Sequence, residues 1–301
     1  MYLIEIESNR SRRLCVHFGS GVIGMAILDR LLREGRLIKH QKIDWSNVTP
    51  FAEWLKVSEY FDGGYESIDI VWAAGQAKFT ATQEATEREK QDFETIIEAI
   101  DQRISSLRGK ARTRFWLMSS AGGIFEGQTH VNSTSATSCQ RPYATYKLFQ
   151  EEYVQEFFES IICRVSSVYS THNFSGRMGL IPTVVRNHLF KLETTLYGNP
   201  STLRDYVLDR DIGKFVAGGI VNDQVPGLEY LVSGQPTSIQ AIINIIEETT
   251  HRKVRLKYSN QNLNAANMSF SPKLRSKRFQ ASAMIANIRV LRQQLFSSQI
   301  R

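Results

Sequence analysis

Apolar residues recur along this chain in two rhythms that alternate. Leu14–Phe18, Leu37–Ile43, Ile68–Ala74, Arg114–Met118 and Ile161–Val168 are short, dense apolar runs of strand length. Between them lie amphipathic stretches of helical length. Val22–Glu34 is stopped by Gly35, Thr82–Leu107 is long enough for one helix or two, and Pro142 opens a helix running to about Phe158. Strand–helix alternation predicts an α/β fold with a largely parallel sheet. The run IDIVWAA at Ile68–Ala74 reads as a strand buried on both faces.

Beyond Val168 the rhythm loosens. Thr171–Pro200 mixes loop residues with one apolar helix, and Ser201–Tyr206 is polar. Asp211–Ile220 reads as helix, Tyr230–Ser233 as strand and Ser238–Thr249 as helix. The expected organisation is a regular domain over residues 1–170, to which residues 206–222 return. A smaller, less regular substrate-binding region over 171–301 lies against it. No internal repeat, low-complexity tract or polar linker interrupts this pattern.

Composition narrows the class. A chain of 301 residues with 42% hydrophobic and 22% charged residues can bury a sizeable core as an ordinary globular protein. No run reaches the roughly 18 apolar residues of a membrane span. The opening MYLIEIESNRSRR has no apolar core followed by a cleavage site, so no signal peptide is expected. Cys15, Cys139 and Cys163, odd in number, suit reduced thiols in a cytoplasmic protein. The net charge of +7 comes largely from late residues such as Lys273, Arg275, Lys277, Arg278, Arg289 and Arg292. These are not interleaved with aromatics, so they read as a solvated face rather than a nucleic-acid stripe. His17 lies within a strand and reads as core. His130, His172 and His188 are scattered without cysteines at ligand spacing, so no metal is expected.

The first chemical signal is Gly19-Ser20-Gly21-Val22-Ile23-Gly24, a G-x-G-x-x-G placed between a strand and a helix. One glycine allows the tight turn, one lets a pyrophosphate approach the backbone, and one lets helix and strand pack closely. The free N–H groups at the helix start then face the anion. The fold implied is a Rossmann-type doubly wound parallel sheet that binds a nicotinamide dinucleotide. Asp44 lies 44 − 24 = 20 positions beyond the last glycine, where an acid can hold the adenine ribose. A surface aspartate after a strand reads equally well. Lys39, His40 and Lys42 would instead welcome a 2′-phosphate, so NADP competes with NAD.

The second signal is Tyr143-Ala-Thr-Tyr-Lys147. Residues four apart share a helix face, which sets the Lys147 ammonium beside the Tyr143 phenol. Bringing a phenol from a pKa of about 10 to near 7 needs roughly 4 kcal/mol of preference for phenolate. A nearby cation and the positive nicotinamide ring supply much of it. Among eleven tyrosines, only Tyr143 has a lysine four residues later.

With these residues stand Val71-Trp72-Ala73-Ala74, Ser119-Ser120, Arg164-Val-Ser-Ser-Val-Tyr169, Tyr197-Gly198-Asn199-Pro200, Arg204-Asp205-Tyr206-Val207, Asp211-Ile212 and Ser271-Pro272-Lys273-Leu274. Together they make the chain resemble the extended short-chain dehydrogenase/reductase superfamily, in its sugar-nucleotide epimerase and dehydratase branch. The resemblance implies that a Tyr143 phenolate takes a sugar hydroxyl proton while hydride passes to the nicotinamide. Lys147 holds the nicotinamide ribose and lowers the tyrosine pKa, and Ser120, with Ser119 behind it, bonds the same sugar oxygen. The glycine loop, Ala73, Ala74 and Asp44 belong to the cofactor. Arg204 contacts the substrate diphosphate, with Ser167 and Asn173 nearby. A homodimer is implied, paired through the Tyr/Lys helix with Leu148, Tyr153, Val154 and Phe157 as its apolar stripe.

Three departures qualify this picture. The family's first glycine falls on Phe18, with Gly19 displaced by one. Ala121 stands where a catalytic Ser or Thr often does, and Gly122-Gly123 replace the Asp-Glu pair of sugar dehydratases, which ranks elimination low. Ser167 and Ser170 replace an asparagine and a glycine in R-x-x-N-V-Y-G. The expectation is a 4-epimerase acting on a nucleotide-activated sugar. A keto-sugar-nucleotide reductase is the runner-up, and a non-catalytic dinucleotide-binding protein of the same fold the third reading.

Overall fold

The computed structural model describes residues 1–8, 11–107, 111–172, 179–197, 199–259 and 266–298. It opens with a hairpin. Strands β1 (Tyr2–Ser8) and β2 (Ser11–Phe18) pair antiparallel, from Tyr2 opposite His17 to Ser8 opposite Ser11. Helix α1 (Val22–Glu34) stops at Gly35, as the sequence predicts. β3 (Arg36–His40) then runs antiparallel to β1 rather than beside β2. After α2 (Thr49–Lys56), β4 (Ser67–Trp72) pairs parallel with β2. α3 (Gln83–Ser105) is one helix, N-capped by Thr82, and leads to β5 (Arg112–Ser120). A short α4 (Ala121–Ile124) and the long α5 (Pro142–Phe157) precede β6 (Glu159–Val165).

The later chain adds β7 (Ser167–Tyr169), α6 (Leu180–Leu189), β8 (Thr194–Tyr197), β9 (Leu203–Arg204), β10 (Tyr206–Leu208) and α7 (Asp209–Val221). There follow β11 (Gly227–Leu231), β12 (Thr237–Ser238), α8 (Ile239–Thr250), β13 (Leu256–Ser259) and α9 (Met284–Ser298). Short strands therefore occupy part of the polar stretch 201–206.

The described residues form a seven-stranded central sheet in the order β11-β6-β5-β4-β2-β1-β3. Apart from β1 its strands run parallel, and helices cover both faces, as in a doubly wound α/β fold. β1 was not expected. Tyr2–Ser8 alternates apolar and polar residues, yet Leu3 and Ile4 are both fully buried because β1 lies inside the sheet. It sits between the first parallel strand and the strand that follows α1. Leu3, Leu14, Val16 and Phe18 pack with α2, α3 and α5, while Ile4, Ile6 and Cys15 pack with α1 and α7.

Residues after 171 return to this sheet further than expected. α7 lies on α1, where a side chain at Gly213 would overlap the Ala26 backbone. β11 then joins the edge parallel to β6, so the return runs to Leu231. α6, α8 and α9 enclose a separate apolar cluster built on Ile181, Val185, Ile242 and Leu291. Among the described residues, no helix is long and apolar enough to cross a membrane.

The strand read as wholly apolar carries a buried charge. Asp69 of β4 faces Arg114 of β5 across one rung, with two N–O distances of 2.8 Å and both side chains fully buried. Trp116 Nε1 donates to the same carboxylate at 3.0 Å, and Arg114 donates to the Ile220 carbonyl at 3.2 Å. Asp69, Arg114 and Trp116 thus all have partners, as the interior demands.

Candidate active site

The parallel strands deliver their carboxyl ends to one side of the sheet, where a cavity of about 710 Å³ opens. The glycine loop forms one wall. Gly19 has φ +119°, and a Cβ there would collide with the Ala73 carbonyl at the end of β4. The loop is drawn that close because Ala73 N donates to the Phe18 carbonyl at 2.8 Å. His17, fully buried, donates from Nε2 to the Gly19 carbonyl at 3.0 Å, and burial lowers its imidazole to about 4, so it is neutral at pH 7. Gly24 meets the Gly19 backbone so closely that no Cβ fits. Nothing lies within 4 Å of a Cβ built on Gly21, and no side chain caps α1. Its first N–H groups, with Ser20, Val22 and Ile23, border open space suited to a pyrophosphate. Phe18, where the family has glycine, is a fully buried core aromatic beside Phe51 and Trp72. The turn therefore begins one residue later.

Tyr143 and Lys147 form the opposite wall. Pro142 starts α5 at the cavity, and Tyr143 rests over the α4 turn, where a Cβ at Gly123 would lie 3.2 Å from its ring. Lys147 Nζ is 5.9 Å from the centre of that ring. The ammonium donates to the Met118 carbonyl at 3.2 Å and to Gln150 Oε1 at 2.8 Å. Burial lowers its pKa to about 8, against the upward pull of the Glu89 and Glu151 carboxylates. Gln150 Nε2 donates in turn to the Tyr146 hydroxyl at 2.9 Å, and that hydroxyl donates to the Glu89 carbonyl at 3.2 Å.

The two serines divide their work. Ser119 donates to Glu151, which also takes Arg164 through both carboxylate oxygens, at 3.0 and 2.7 Å. Ser120 caps α4 by accepting from Gly123 N at 3.0 Å. A hydroxyl that accepts one bond keeps its proton for donation, so Ser120 is the serine able to serve a ligand in the cavity it borders. Ala121 is fully buried in the first turn of α4.

Other predicted residues are placed less directly. Ala73 and Ala74 border the cavity. Ser166 and Ser170 border it too, whereas Ser167 lies on β7, its N–H donating to the Asp205 carbonyl at 3.1 Å. Arg204 is half-buried on β9 and donates to the Ala266 carbonyl, away from the Tyr143 cavity's lining. Its neighbour Asp205 is a fold anchor, fully buried and accepting from Ser166 Oγ, Ser233 N and Oγ, and Gly234 N at 2.6–2.8 Å. Asn173 lies outside the described residues. Asp44 sits exposed in a turn, accepting from Ser46 N at 2.9 Å and Ser46 Oγ at 2.7 Å. On α5, Val154 and Leu148 pack into two clusters of the chain itself, and Tyr153 and Phe157 are half-buried.

Sequence reasoning missed Glu89, Gln150 and Glu151. Glu151 follows Lys147 by four residues on the same helix, a spacing that was available. Glu89 had no such signal. It reaches the site because α3 begins beside the loop after β4, where its carboxylate accepts from Gln76 N at 3.0 Å and from Ala77 N.

The fold has counterparts among known proteins. The model of the NAD dependent epimerase/dehydratase family matches residues 19–220. UDP-glucose 4-epimerase from Thermus thermophilus, solved with NAD, superposes with a TM-score of 0.75 at 17% identity, covering 95% of this chain and 99% of that one. The Thermotoga maritima UDP-glucose 4-epimerase, solved with UDP-glucose, gives 0.70 at 15% identity, covering 95% and 99%. UDP-glucuronic acid 4-epimerase from Bacillus cereus, with UDP-glucuronic acid and NAD, gives 0.67 at 14% identity, covering 95% and 90%. No curated protein sequence matches the chain.

Proposed function

This chain belongs to the NAD dependent epimerase/dehydratase family, and on that premise we propose that it is a 4-epimerase of a nucleotide-activated sugar. The observation that carries the reading is the convergence of the glycine loop, Ser120, Tyr143 and Lys147 on one cavity. The uncapped start of α1 and the close Gly19–Ala73 approach fit a dinucleotide pyrophosphate. When bound, the dinucleotide supplies the hydride acceptor. NAD, present in the Thermus thermophilus and Bacillus cereus neighbours, supports that assignment.

Tyr143, as phenolate, takes the proton of the sugar hydroxyl, and Ser120 donates to the same oxygen. Lys147 keeps a positive charge beside the phenol. Its two acceptors, Met118 O and Gln150 Oε1, are neutral, so neither cancels that charge by forming an ion pair. Gly122 and Gly123 offer no acid or base where elimination of water would need them. The UDP-sugars in the neighbouring epimerases support a nucleotide sugar as substrate.

The test is incubation with a panel of nucleotide sugars and dinucleotide, with separation of the C4 epimers. Interconversion without net reduction of the dinucleotide is expected. Stoichiometric consumption of NADPH would move the assignment to a keto-sugar reductase. Tyr143→Phe should bind dinucleotide normally and lose turnover by two to four orders of magnitude. Epimerisation at the wild-type rate in that variant would sink the mechanism.

A further inference from the structure

Helix α6 starts at the edge of the active-site cavity, which Gly179 and Pro182 border, and ends about 15 Å further on. Its end is closed by Lys191 N–H donating to the His188 carbonyl at 3.1 Å and Leu192 N–H donating to the Asn187 carbonyl at 2.8 Å. Lys191 takes the left-handed region there (φ +58°), where glycine is usual. In such a closure the residue that follows commonly folds back on an apolar side chain in the last turn. Here the residue whose carbonyl Leu192 meets is Asn187, which is polar. Leu192 stays 51% exposed and Phe190 49% exposed, so two large apolar side chains flank Lys191 on a turn facing solvent.

Cations surround this turn. α8 ends alongside it and is tied to α6 by His188, whose Nε2 donates to Thr250 Oγ1 at 2.9 Å because that hydroxyl's own proton serves the Ile246 carbonyl. The segment after α8 carries Arg252, Lys253 and Arg255, which with His188, Lys191 and Leu192 line a cavity of about 310 Å³. Glu247 and Glu248 border the adjoining cavity. Glu247 is engaged by Lys253 Nζ at 2.6 Å and Val254 N–H at 3.0 Å. Over residues 186–193 and 247–257, six lysines and arginines stand against three carboxylates, so the surface is cationic on balance. Helix C-termini attract cations, and Arg255 does donate to the Lys191 carbonyl at 3.2 Å. That accounts for the charge, but not for the apolar tip set within it.

We propose that this end of the molecule docks on an anionic phospholipid bilayer. Phe190 and Leu192 enter the headgroup–acyl boundary, and Lys191, Arg252, Lys253 and Arg255 meet the lipid phosphates. Charge complementarity selects a phosphate-bearing surface. The leucine beside the phenylalanine selects lipid over nucleic acid, because an aliphatic side chain offers a base no ring to stack on. The chain lies on the membrane rather than spanning it. The active-site cavity, at the other end of α6, is left clear of the docked face. The inference is independent of the reaction assigned to that cavity.

Co-sedimentation of the full chain with vesicles tests this. Vesicles of phosphatidylcholine with phosphatidylserine should bind it at least about tenfold more tightly than phosphatidylcholine alone, and added salt should weaken the binding. Lys191→Gly and Arg252→Gln should each lower it about fivefold. The first also suits the left-handed backbone, so the fold is kept. Phe190→Ser combined with Leu192→Ser should lower it severalfold, and both positions lie outside the core. In Phe190→Trp the added fluorescence should shift to the blue when the anionic vesicles are mixed in. Equal binding to the two kinds of vesicle, unchanged binding in all these variants, or no blue shift overturns the proposal. So does binding of single-stranded RNA or inorganic phosphate without binding of anionic vesicles, which would give the cations to a soluble anion.

Discussion

Strand β5 meets a buried cation near each of its two ends. Near its start Arg114 lies fully enclosed, matched oxygen for nitrogen by Asp69. Near its finish the Met118 carbonyl, with Gln150, receives Lys147, which is buried at the cavity wall but has only neutral acceptors. The first arrangement fixes a charge so that nothing changes it. The second leaves the charge able to come and go, and burial brings Lys147 down to about 8, within reach of physiological pH. A buried charge that is fully paired reads as architecture, and one with neutral partners beside a cavity reads as chemistry.

Substitutions should separate the two. Lys147→Met should lower turnover by two to four orders of magnitude, the range for a lost acid–base partner, with little change in urea unfolding. Asp69→Asn should do the reverse. Arg114 would keep only the half-exposed Asp223, at 3.3 Å, as a charged partner; losing the buried one costs up to about 3–5 kcal/mol of stability, seen as a lower urea midpoint, while turnover per folded molecule stays normal. A variant that loses activity and stability together at either position would collapse the distinction.

A smaller effect concerns pH. Lys147 is an ammonium below about 8 and an amine above it, so rising pH withdraws the cation that favours the Tyr143 phenolate. The alkaline limb of kcat/KM should therefore fall near pH 8, rather than near the 10.4 of an ordinary lysine. Gln150→Leu removes one of two acceptors from the ammonium and should move that limb down by about one unit, roughly 1.4 kcal/mol. Glu89→Gln removes only a Coulombic pull and should move it down by less. An upward shift in either variant would mean that the limb belongs to another group.

Local chemistry was legible in the sequence, and long-range pairing was not. Gly35 ends α1, Thr82 caps α3 and Pro142 opens α5, because caps and breakers act within a turn of where they are written. The pairing of Tyr143 with Lys147 was legible for the same reason, since a spacing of four places two side chains on one helix face. β1 escaped because Tyr2–Ser8 gives no sign of which strand it will join. The Asp69–Arg114 pair escaped because each residue lies in its own strand, 45 positions apart. The splitting of Ser119 from Ser120 depends on Glu151 arriving from α5, which adjacency in sequence cannot show.

Gly122 and Gly123 bear on what this chain can become. At Gly122 a new Cβ would meet the Met268 side chain at 3.4 Å and Ser120 Oγ at 3.8 Å, ordinary contacts, whereas at Gly123 it would press on the Tyr143 ring at 3.2 Å and Ser120 Oγ at 3.3 Å. An acid can therefore be introduced at the first position in one mutational step. Installing the pair needed for elimination would press on the tyrosine on which the proposed reaction depends. The two activities are separated by an adaptive valley one residue wide, and a lineage crossing it would have to rebuild the α4 turn before gaining the second carboxylate.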